Sequence, residues 1–273
     1  MVINDVIVPF HPKDKNLVMR CCASLLDVVG AKRIFLISHA DPHIEGTTFI
    51  PESSLTNIVS KSEIQKIVGK HGFAYYKRAG WLYQQLIKLG ADDFIEDLSD
   101  GYMVCDSDII FLTNPYRVIS ELTLPYSQNF LNELHEPYFR YFKKLTGISE
   151  TAGFSFINHH MIFKRQIIRS LKDLIELKFN RRWDLAIIEN LSYDHPSNFS
   201  EYETYGNWVY AHHLKLMRRV QLKVLDIDYI PTKEEENLFA KDYDILSCQA
   251  WKRGNSSINY FDLFFYKMMR FMS

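Results

Sequence analysis

The chain of 273 residues is 47% hydrophobic and 24% charged, which is the composition of an ordinary globular protein with a sizeable core. Its formal net charge of -1 and isoelectric point near 6.8 exclude a strongly basic surface, so we expect no nucleic-acid partner. The N-terminus has neither the apolar run of a signal peptide nor a transmembrane segment, and the four cysteines follow no metal-binding or disulfide pattern. These features together predict a cytoplasmic protein.

The first elements alternate between strand and helix. An apolar run over residues 2–10 predicts a buried strand, residues 15–29 have helical spacing that ends at Gly30, and residues 33–38 predict a second strand. This order indicates a βαβ unit, in which two parallel strands are joined by a right-handed crossover.

The rest of the chain continues the same alternation without a linker or an internal repeat. We expect, in chain order, a loop at 41–60, helices at 62–70 and 79–89, a strand at 102–112, a helix at 128–145 with a break near Pro137, a strand at 153–164, helices at 165–179 and 200–216, and a strand at 221–230. The pattern predicts one domain over residues 1–273, with a mixed, mostly parallel sheet flanked by helices. The tail at 260–273 is expected to be a helix that docks on the body, with weak contact to a membrane surface as the alternative.

Three Asp-x-Asp sequences occur, at 106–108, 226–228 and 242–244, and about one is expected by chance. The second lies in an alternating strand, so its carboxylates can face water. The third follows a charged stretch and is typical of a solvated surface. Both therefore have a simple structural explanation.

Asp106 and Asp108 instead interrupt a run that is apolar on both sides, with YMVC before and IIFL after, as in a central strand covered on both faces. Two carboxylates there repel each other and are costly to bury unless a cation neutralises them. Mn2+ and Mg2+ accept carboxylate and phosphate oxygens, and open α/β sheets bind ligands at the carboxyl ends of central strands. We therefore predict that Asp106 and Asp108 bind Mn2+ or Mg2+ together with a nucleotide diphosphate; the alternative is a strand end that faces solvent.

The segment YMVCDSDIIFLTNP resembles the strand of GT-A glycosyltransferases, which have a Rossmann-like α/β fold, where Asp-x-Asp holds the metal and the diphosphate of a nucleotide sugar. With GWLYQQLIKL, GFSFINHHMIFKR and FSEYETYGNWV, it is similar to a little-characterised group of glycosyltransferases from bacteria and large algal viruses, over residues 1–255. The resemblance implies a nucleotide-binding half at 1–115 and an acceptor-binding half at 116–259. It also implies a nucleotide-sugar donor, such as UDP-xylose or UDP-glucose, and a glycan or glycoconjugate acceptor.

The resemblance further implies which residues surround the donor. They are Phe10, His11, Lys13, Asp14, Arg78, Gln84, Asp106, Ser107, Asn158, His159, Trp251, Lys252 and Arg253. The first four follow the first strand and would meet the nucleotide base, unless they form an ordinary polar turn. The last three would close over the diphosphate, unless the Lys-Arg pair is simply solvated.

Arg78, Trp81 and Gln84 share one face of the predicted helix, where Arg78 would neutralise phosphate and Trp81 would belong to the core. Along the predicted strand, Phe156, Asn158 and His160 alternate with Ile157, His159 and Met161, and we expect Asn158 and His159 to line the sugar pocket. One of the two adjacent histidines is expected to be a buried side chain.

The segment that begins at Ser200 carries the candidate catalytic carboxylates. Ser200-x-x-Glu203 matches a capping box, which explains Glu203 as a helix-start residue and leaves Glu201 as the first candidate base on the acceptor hydroxyl, with Glu203 second. We favour an inverting transfer. The histidine that many GT-A enzymes place late in the chain as a metal ligand is absent, because none follows His213; an earlier ligand or water would complete the shell.

Two other functions fit the same site. A sugar nucleotidyltransferase also joins metal, nucleotide and sugar on an α/β sheet, but the Gly-rich, basic phosphate loop expected there is missing from the N-terminal half. A non-catalytic carbohydrate-binding descendant of the fold would use the pocket without turnover.

Overall fold

The structure is a computed structural model and describes residues 2–117, 124–126 and 134–248. The strands in these ranges are β1 (Asp5–Pro9), β2 (Arg33–Ser38), β3 (Thr48–Pro51), β4 (Gly101–Cys105), β5 (Ile109–Phe111), β6 (Leu124–Tyr126), β7 (His160–Lys164), β8 (Met217–Arg219), β9 (Val224–Asp226) and β10 (Ile245–Ser247). The α-helices there are α1 (Lys15–Ser24), α2 (Lys61–Gly69), α3 (Phe73–Leu89), α4 (Ala91–Phe94), α5 (Glu136–Thr146), α6 (Arg165–Phe179), α7 (Trp183–Glu189), α8 (Glu201–His213) and α9 (Lys233–Phe239).

The central sheet has five strands in the order β3-β2-β1-β4-β7. β3, β2, β1 and β4 pair in parallel, and β7 adds an antiparallel edge. The chain moves outward on one side of β1 through β2 and β3, then crosses to the other side to form β4. The predicted mixed, mostly parallel sheet flanked by helices is confirmed, and the change of direction between β1 and β4 is where sheets of this type bind ligands.

The predicted βαβ unit is confirmed. β1 is buried at every position, and β2 has the predicted bounds. α1 continues into a π-helical turn over Leu25–Val29 and ends at Gly30, whose φ of +77° is a left-handed conformation that favours glycine.

The single strand predicted at 102–112 is wrong. β4 ends at Cys105, a turn follows at residues 106–108, and β5 belongs to a separate three-stranded sheet in the order β5-β10-β9. The turn leaves Asp106 and Asp108 half-buried, which avoids the cost of placing two carboxylates in a strand covered on both faces. The apolar residues after the turn are covered by a small core of their own, formed by Leu17, Ile110, Ile227, Leu246 and Cys248.

Two other predicted strands are shorter than expected. Only residues 160–164 of the 153–164 prediction pair with β4, and only residues 224–226 of the 221–230 prediction form a strand. The strand β3 replaces part of the loop predicted at 41–60. In each case, the pattern of apolar and polar residues does not show where the neighbouring strand begins and ends, so the bounds of the strand cannot be read from it.

The helices agree more closely with the sequence. α6 has the predicted bounds, α2 and α8 differ from them by a few residues, and α3 begins six residues earlier than predicted. α5 begins at Glu136, which places Pro137 in its first turn, where proline is tolerated. Among the described residues, no helix has the length and apolar content needed to span a bilayer. The tail predicted to dock lies outside the described residues.

One large hydrophobic core joins elements from both predicted halves of the chain. Within this core, α8 packs tightly against the segment before β7 at Gly206. A Cβ at Gly206 would lie 2.3 Å from the Phe156 ring. The absence of a side chain at Gly206 therefore lets α8 approach the segment that leads to His159.

We expect Gly206→Ala to lower the free energy of unfolding by about 1–3 kcal/mol, because overpacking against Phe156 outweighs the better helix propensity of alanine. Gly80→Ala in α3 is the matched control, since its Cβ would meet only Lys61 at 3.5 Å. The control should be neutral or more stable by up to about 1 kcal/mol. Urea unfolding of both variants measures the difference, and equal stability of G206A and wild type would contradict the packing.

Candidate metal and catalytic site

The candidate site begins where β4 ends. β4 and β7 pair antiparallel with Cys105 opposite His160, and the ladder extends one step further, where the Asp106 N–H donates to the His159 carbonyl at 2.8 Å. The first polar residue after one strand is thereby held beside the last residue before the other. Strand pairing, rather than proximity in sequence, joins Asp106 to His159.

Asp106, Asp108 and His159 form a three-residue cluster in which each offers a ligand atom within 4.8 Å of the others. All three side chains are half-buried, so a small ion can reach them. Two carboxylate oxygens and one imidazole nitrogen are a donor set for a divalent cation. Among the described residues, this is the group of three His, Cys, Asp or Glu side chains that is arranged closely enough to hold a metal ion. From the sequence, His159 was assigned to the sugar pocket and was not identified as a candidate metal ligand, although the absence of a late histidine left an earlier ligand open.

Lys88 lies at the centre of the site and was missed entirely. Its ammonium bonds Asp106 Oδ1, Glu201 Oε1 at 2.7 Å and the Tyr202 hydroxyl at 3.1 Å, and its side chain is only 7% exposed. Asp106 thus has one oxygen on Lys88, while its Oδ2 lies 3.7 Å from His159 Nδ1. A lysine within the apolar run Leu86–Leu89 was the available signal, since lysine is almost never buried without a partner.

The charges of the cluster shift one another's pKa values. Burial acts to raise the pKa of Asp106, but the nearby Lys88 and His159 lower it to about 2. Burial and the charge of Asp106 raise the pKa of Asp108. Burial acts to lower the pKa of His159, but Asp106, Asp108 and Asp226 together raise it. The site thus attracts positive charge.

His160 is the buried histidine expected of the pair, although its Nδ1 has no hydrogen-bond partner within the described residues. Its Nε2 bonds the Tyr116 hydroxyl, and burial together with the neighbouring His159 lowers its pKa to about 3. Asn158 precedes β7, where its Oδ1 accepts from the His159 N–H at 2.8 Å. The alternation predicted across residues 156–161 does not hold, because the strand begins only at His160.

Glu203 fastens the segment before β7 to α8. Its Oε1 accepts from the Ser155 hydroxyl and from the Phe156 N–H at 3.2 Å, and its Oε2 accepts from Asn207 Nδ2 at 3.2 Å. Half of the predicted capping box forms, with the Glu203 N–H donating to Ser200 Oγ at 3.3 Å. The carboxylate is occupied by residues 155–157 instead of returning to the helix start.

Glu201 is 3% exposed and its carboxylate is bound to Lys88, so it does not face an acceptor in this conformation. Its N–H donates to Gln85 Oε1 at 3.1 Å. Gln85, rather than the predicted Gln84, is therefore the α3 glutamine that contacts this site. Arg78 lies two turns earlier on α3 and donates to Ser197 Oγ at 2.8 Å.

The four residues after β1 that were predicted to meet the nucleotide base differ in exposure. Phe10 is 2% exposed and belongs to the core. His11 and Lys13 are exposed and Asp14 is half-buried, at a 3-10 turn where His11 Nδ1 accepts from the Lys13 N–H. His11 meets His39, which follows β2, with ring centroids 5.4 Å apart.

The two remaining Asp-x-Asp sequences differ from each other. Asp226 and Asp228 are exposed, as predicted, although Asp226 is close enough to His159 to raise its pKa. Asp242 is exposed, whereas Asp244 is half-buried and bonds Thr113 Oγ1 at 2.6 Å and the Lys223 N–H at 3.0 Å. The prediction of a solvated surface is therefore wrong for Asp244. Ser107 lies in the turn at 106–108, and Trp251, Lys252 and Arg253 lie outside the described residues.

Comparison with known sequences assigns a family. Residues 37–252, well over half of the chain, match the family described as "Family of unknown function (DUF6492)". The chain belongs to this family. The matched range includes Lys88, the three-residue cluster and Glu201. No curated protein sequence matches the chain.

Solved structures of similar fold include two glycosyltransferases. One is the apo form of mouse xyloside xylosyltransferase 1, with 8% identity and a TM-score of 0.46, covering 93% of this chain and 100% of that chain. The other is the galactosyltransferase LgtC in complex with donor and acceptor sugar analogs, with 9% identity and a TM-score of 0.48, covering 97% of this chain and 94% of that chain. At sequence identities this low, the similarity is one of backbone fold alone. The similarity to a bacterial and algal-virus group stays a prediction.

We expect Lys88→Met to destabilise the fold by about 3–5 kcal/mol, because it leaves the carboxylates of Asp106 and Glu201 without their shared cation. The double variant K88M/E201Q should recover part of this loss. Lys77→Met is the matched control, since Lys77 is exposed on the same helix. Urea unfolding provides the measurement, and a K88M variant as stable as K77M would refute the ion pair.

The environment of Glu203 predicts that the stability of the fold depends on pH. Burial raises its pKa to about 7, against the opposing hydrogen bonds of Ser155, Phe156 and Asn207. The folded state therefore holds this proton more tightly than the unfolded state, so Glu203 favours folding below about pH 4.5 and progressively less up to about pH 7. Glu203→Gln should remove this contribution. Unfolding free energies between pH 4.5 and 8 should differ in slope between the variant and wild type, and parallel curves would contradict the shift.

Proposed function

We propose that the protein is a metal-dependent glycosyltransferase that transfers a sugar from a nucleotide diphosphate to a glycan hydroxyl. The observation that carries the proposal is the cluster of Asp106, Asp108 and His159 at the carboxyl end of β4. This is the edge of the sheet, next to the switch between β1 and β4, where an α/β fold accepts a nucleotide. The site thus combines a cation-binding donor set with a place for a phosphate ligand.

The residues fit a bound divalent cation. Burial and the charge of Asp106 raise the pKa of Asp108, and a bound cation would relieve the repulsion between the two carboxylates. Carboxylates suit Mg2+ and Mn2+, and the imidazole of His159 favours Mn2+ of the two. When bound, such an ion would neutralise the diphosphate as the bond to the sugar breaks.

Lys88 keeps the cluster in order. By holding Oδ1 of Asp106, it leaves Oδ2 directed toward His159. Glu201 holds Lys88 in turn, which makes both of them positioning residues for the metal ligand. The loop after β1 places His11 beside His39, and we assign these two histidines to contact with the nucleotide base.

Glu201 and Glu203, which are 3% and 1% exposed, are both committed to internal partners. We therefore assign Glu203 to holding residues 155–157 and place less weight on either carboxylate as the acceptor base. The anomer of the product, read by NMR, distinguishes inversion from retention.

A panel of UDP- and GDP-sugars, including UDP-xylose and UDP-glucose, tests the proposal. With Mn2+ present, we expect one donor to raise the melting temperature and to be hydrolysed or transferred. A donor that binds without any turnover would favour a carbohydrate-binding descendant. Formation of UTP or GTP and a sugar 1-phosphate from the donor when pyrophosphate is added would favour a nucleotidyltransferase. If no donor binds or reacts, the proposal is wrong.

Asp106→Asn and Asp108→Asn should each lower turnover by at least about 100-fold, because each removes a charged ligand that stabilises the leaving diphosphate. Asp242→Asn is the matched control, since Asp242 belongs to an Asp-x-Asp sequence at an exposed place. Removal of metal by EDTA should abolish turnover, and added Mn2+ should restore it in wild type and D242N. Full activity of D106N under the same conditions would exclude the cluster as the catalytic centre.

A further inference from the structure

Arg78 is a half-buried cation without a carboxylate partner in the part of the chain that the structure describes. Its guanidinium stacks over Trp81 at 3.8 Å and donates to Ser197 Oγ at 2.8 Å, while its Nε is buried without a hydrogen-bond partner. No carboxylate among residues 2–117, 124–126 and 134–248 forms an ion pair with it. Burial also lowers the pKa of Arg78.

The buried lysines of the same chain are arranged differently. Lys88 has Asp106 and Glu201, and Lys172 has Asp92 and Asp93. Withdrawing a cation from water without an opposing charge is unfavourable for folding. Arg78 therefore lies in a place that an anion from outside the chain would complete.

The surroundings of Arg78 suit a polar ring compound. His135 lies 4.3 Å from Tyr138 and 4.7 Å from His195 between ring centroids, and all three rings are half-buried. His135 Nε2 bonds the Ser197 carbonyl at 2.6 Å, which ties this aromatic group to the segment that holds Arg78. Such a mixture of ring faces and polar groups is typical of small-molecule sites.

A second unsatisfied donor lies in the same segment. Asn198, directly after Ser197, is 3% exposed, and its amide nitrogen has no hydrogen-bond partner. Buried polar groups without partners are uncommon in folded proteins and need an explanation. Among the described residues, Arg78 Nε and Asn198 Nδ2 are thus two buried donors without a partner, one on the residue that contacts Ser197 and the other on the residue that follows Ser197 in sequence.

The position of Arg78 separates it from the metal cluster. Arg78, Trp81, Gln85 and Lys88 follow one face of α3, and ten residues of helix correspond to about 15 Å. Lys88 already occupies the end of this face nearest Asp106. An anion at Arg78 is therefore separated along the helix from a diphosphate held by Asp106 and Asp108, which leaves the acceptor as the substrate that would carry it.

We propose that Arg78 binds the anionic group of an acidic acceptor glycan, either a carboxylate or a phosphate. The proposal rests on the glycosyl transfer proposed above. It replaces the sequence-based expectation that Arg78 neutralises the phosphate of the donor. Trp81, Tyr138 and the two histidines would contact the sugar ring that carries the charge.

Calorimetric titration of the full chain with three probes tests this assignment. Methyl α-D-glucuronoside carries a carboxylate, glucose 6-phosphate carries a phosphate, and methyl α-D-glucoside is the neutral reference. We expect wild type to bind at least one charged probe ten-fold or more tighter than the neutral one, and the two charged probes show which anion is preferred. Equal binding of all three would overturn the proposal.

Arg78→Gln should remove this preference and reduce the ratio of charged to neutral affinity toward one. Arg140→Gln is the control, because Arg140 is an exposed arginine that already pairs with Glu136 and Asp194. If R78Q unfolds, Ser197→Ala provides a second variant that releases the guanidinium without removing it, and the same loss of preference is expected. An unchanged preference in the folded variant would contradict the proposal.

Binding of UDP with Mn2+ separates failure of this inference from failure of the proposed function. If R78Q loses UDP binding more than it loses the charged probe, Arg78 serves the donor and the inference is wrong. If wild type binds no UDP- or GDP-sugar, the proposed function is wrong, whatever the three probes show.

Discussion

The ammonium of Lys88, enclosed by two carboxylates, is the interaction on which the site depends. It joins α3 to Asp106 at the end of β4 and to Glu201 in the first turn of α8. The same turn of α8 carries Glu203, which holds the segment leading to His159. A change at Lys88 therefore affects Asp106 directly and His159 indirectly, through α8. The cost of burying Lys88 is offset only while both carboxylates remain in place.

Two basic residues on one face of α3 show how burial and pairing separate structural from ligand-binding charge. Lys88 is almost fully buried, and its charge is balanced within the chain. Arg78 is half-buried and its hydrogen bonds are incomplete. A charge that the fold neutralises supports the architecture, whereas a charge left unneutralised within a group of aromatic rings indicates a ligand. The same helix therefore supports the metal ligands at one end and, in our proposal, contacts the acceptor at the other.

The sequence predicted the elements whose pattern is local. The β1-α1-β2 unit follows from apolar spacing and from Gly30, and α6 follows from its amphipathic pattern. Asp106 and Asp108 were found because two carboxylates conflict with the apolar residues around them. The strand break at these residues was not found, because β5 pairs with β10, more than 130 residues away, and the apolar run alone does not show that a second sheet begins. Lys88 was missed for a related reason: its partners are 18 and 113 residues distant.

The direction of one edge strand determines which atoms meet at the end of β4. Because β7 runs antiparallel to β4, the beginning of β7 lies beside the end of β4, and the residue just before it is His159. If β7 ran parallel to β4, the same histidine would lie beside the beginning of β4, about 16 Å away along five residues of strand. The sheet topology thus adds a nitrogen to an otherwise oxygen-based candidate site, so the metal preference that we propose depends on the orientation of the edge strand β7.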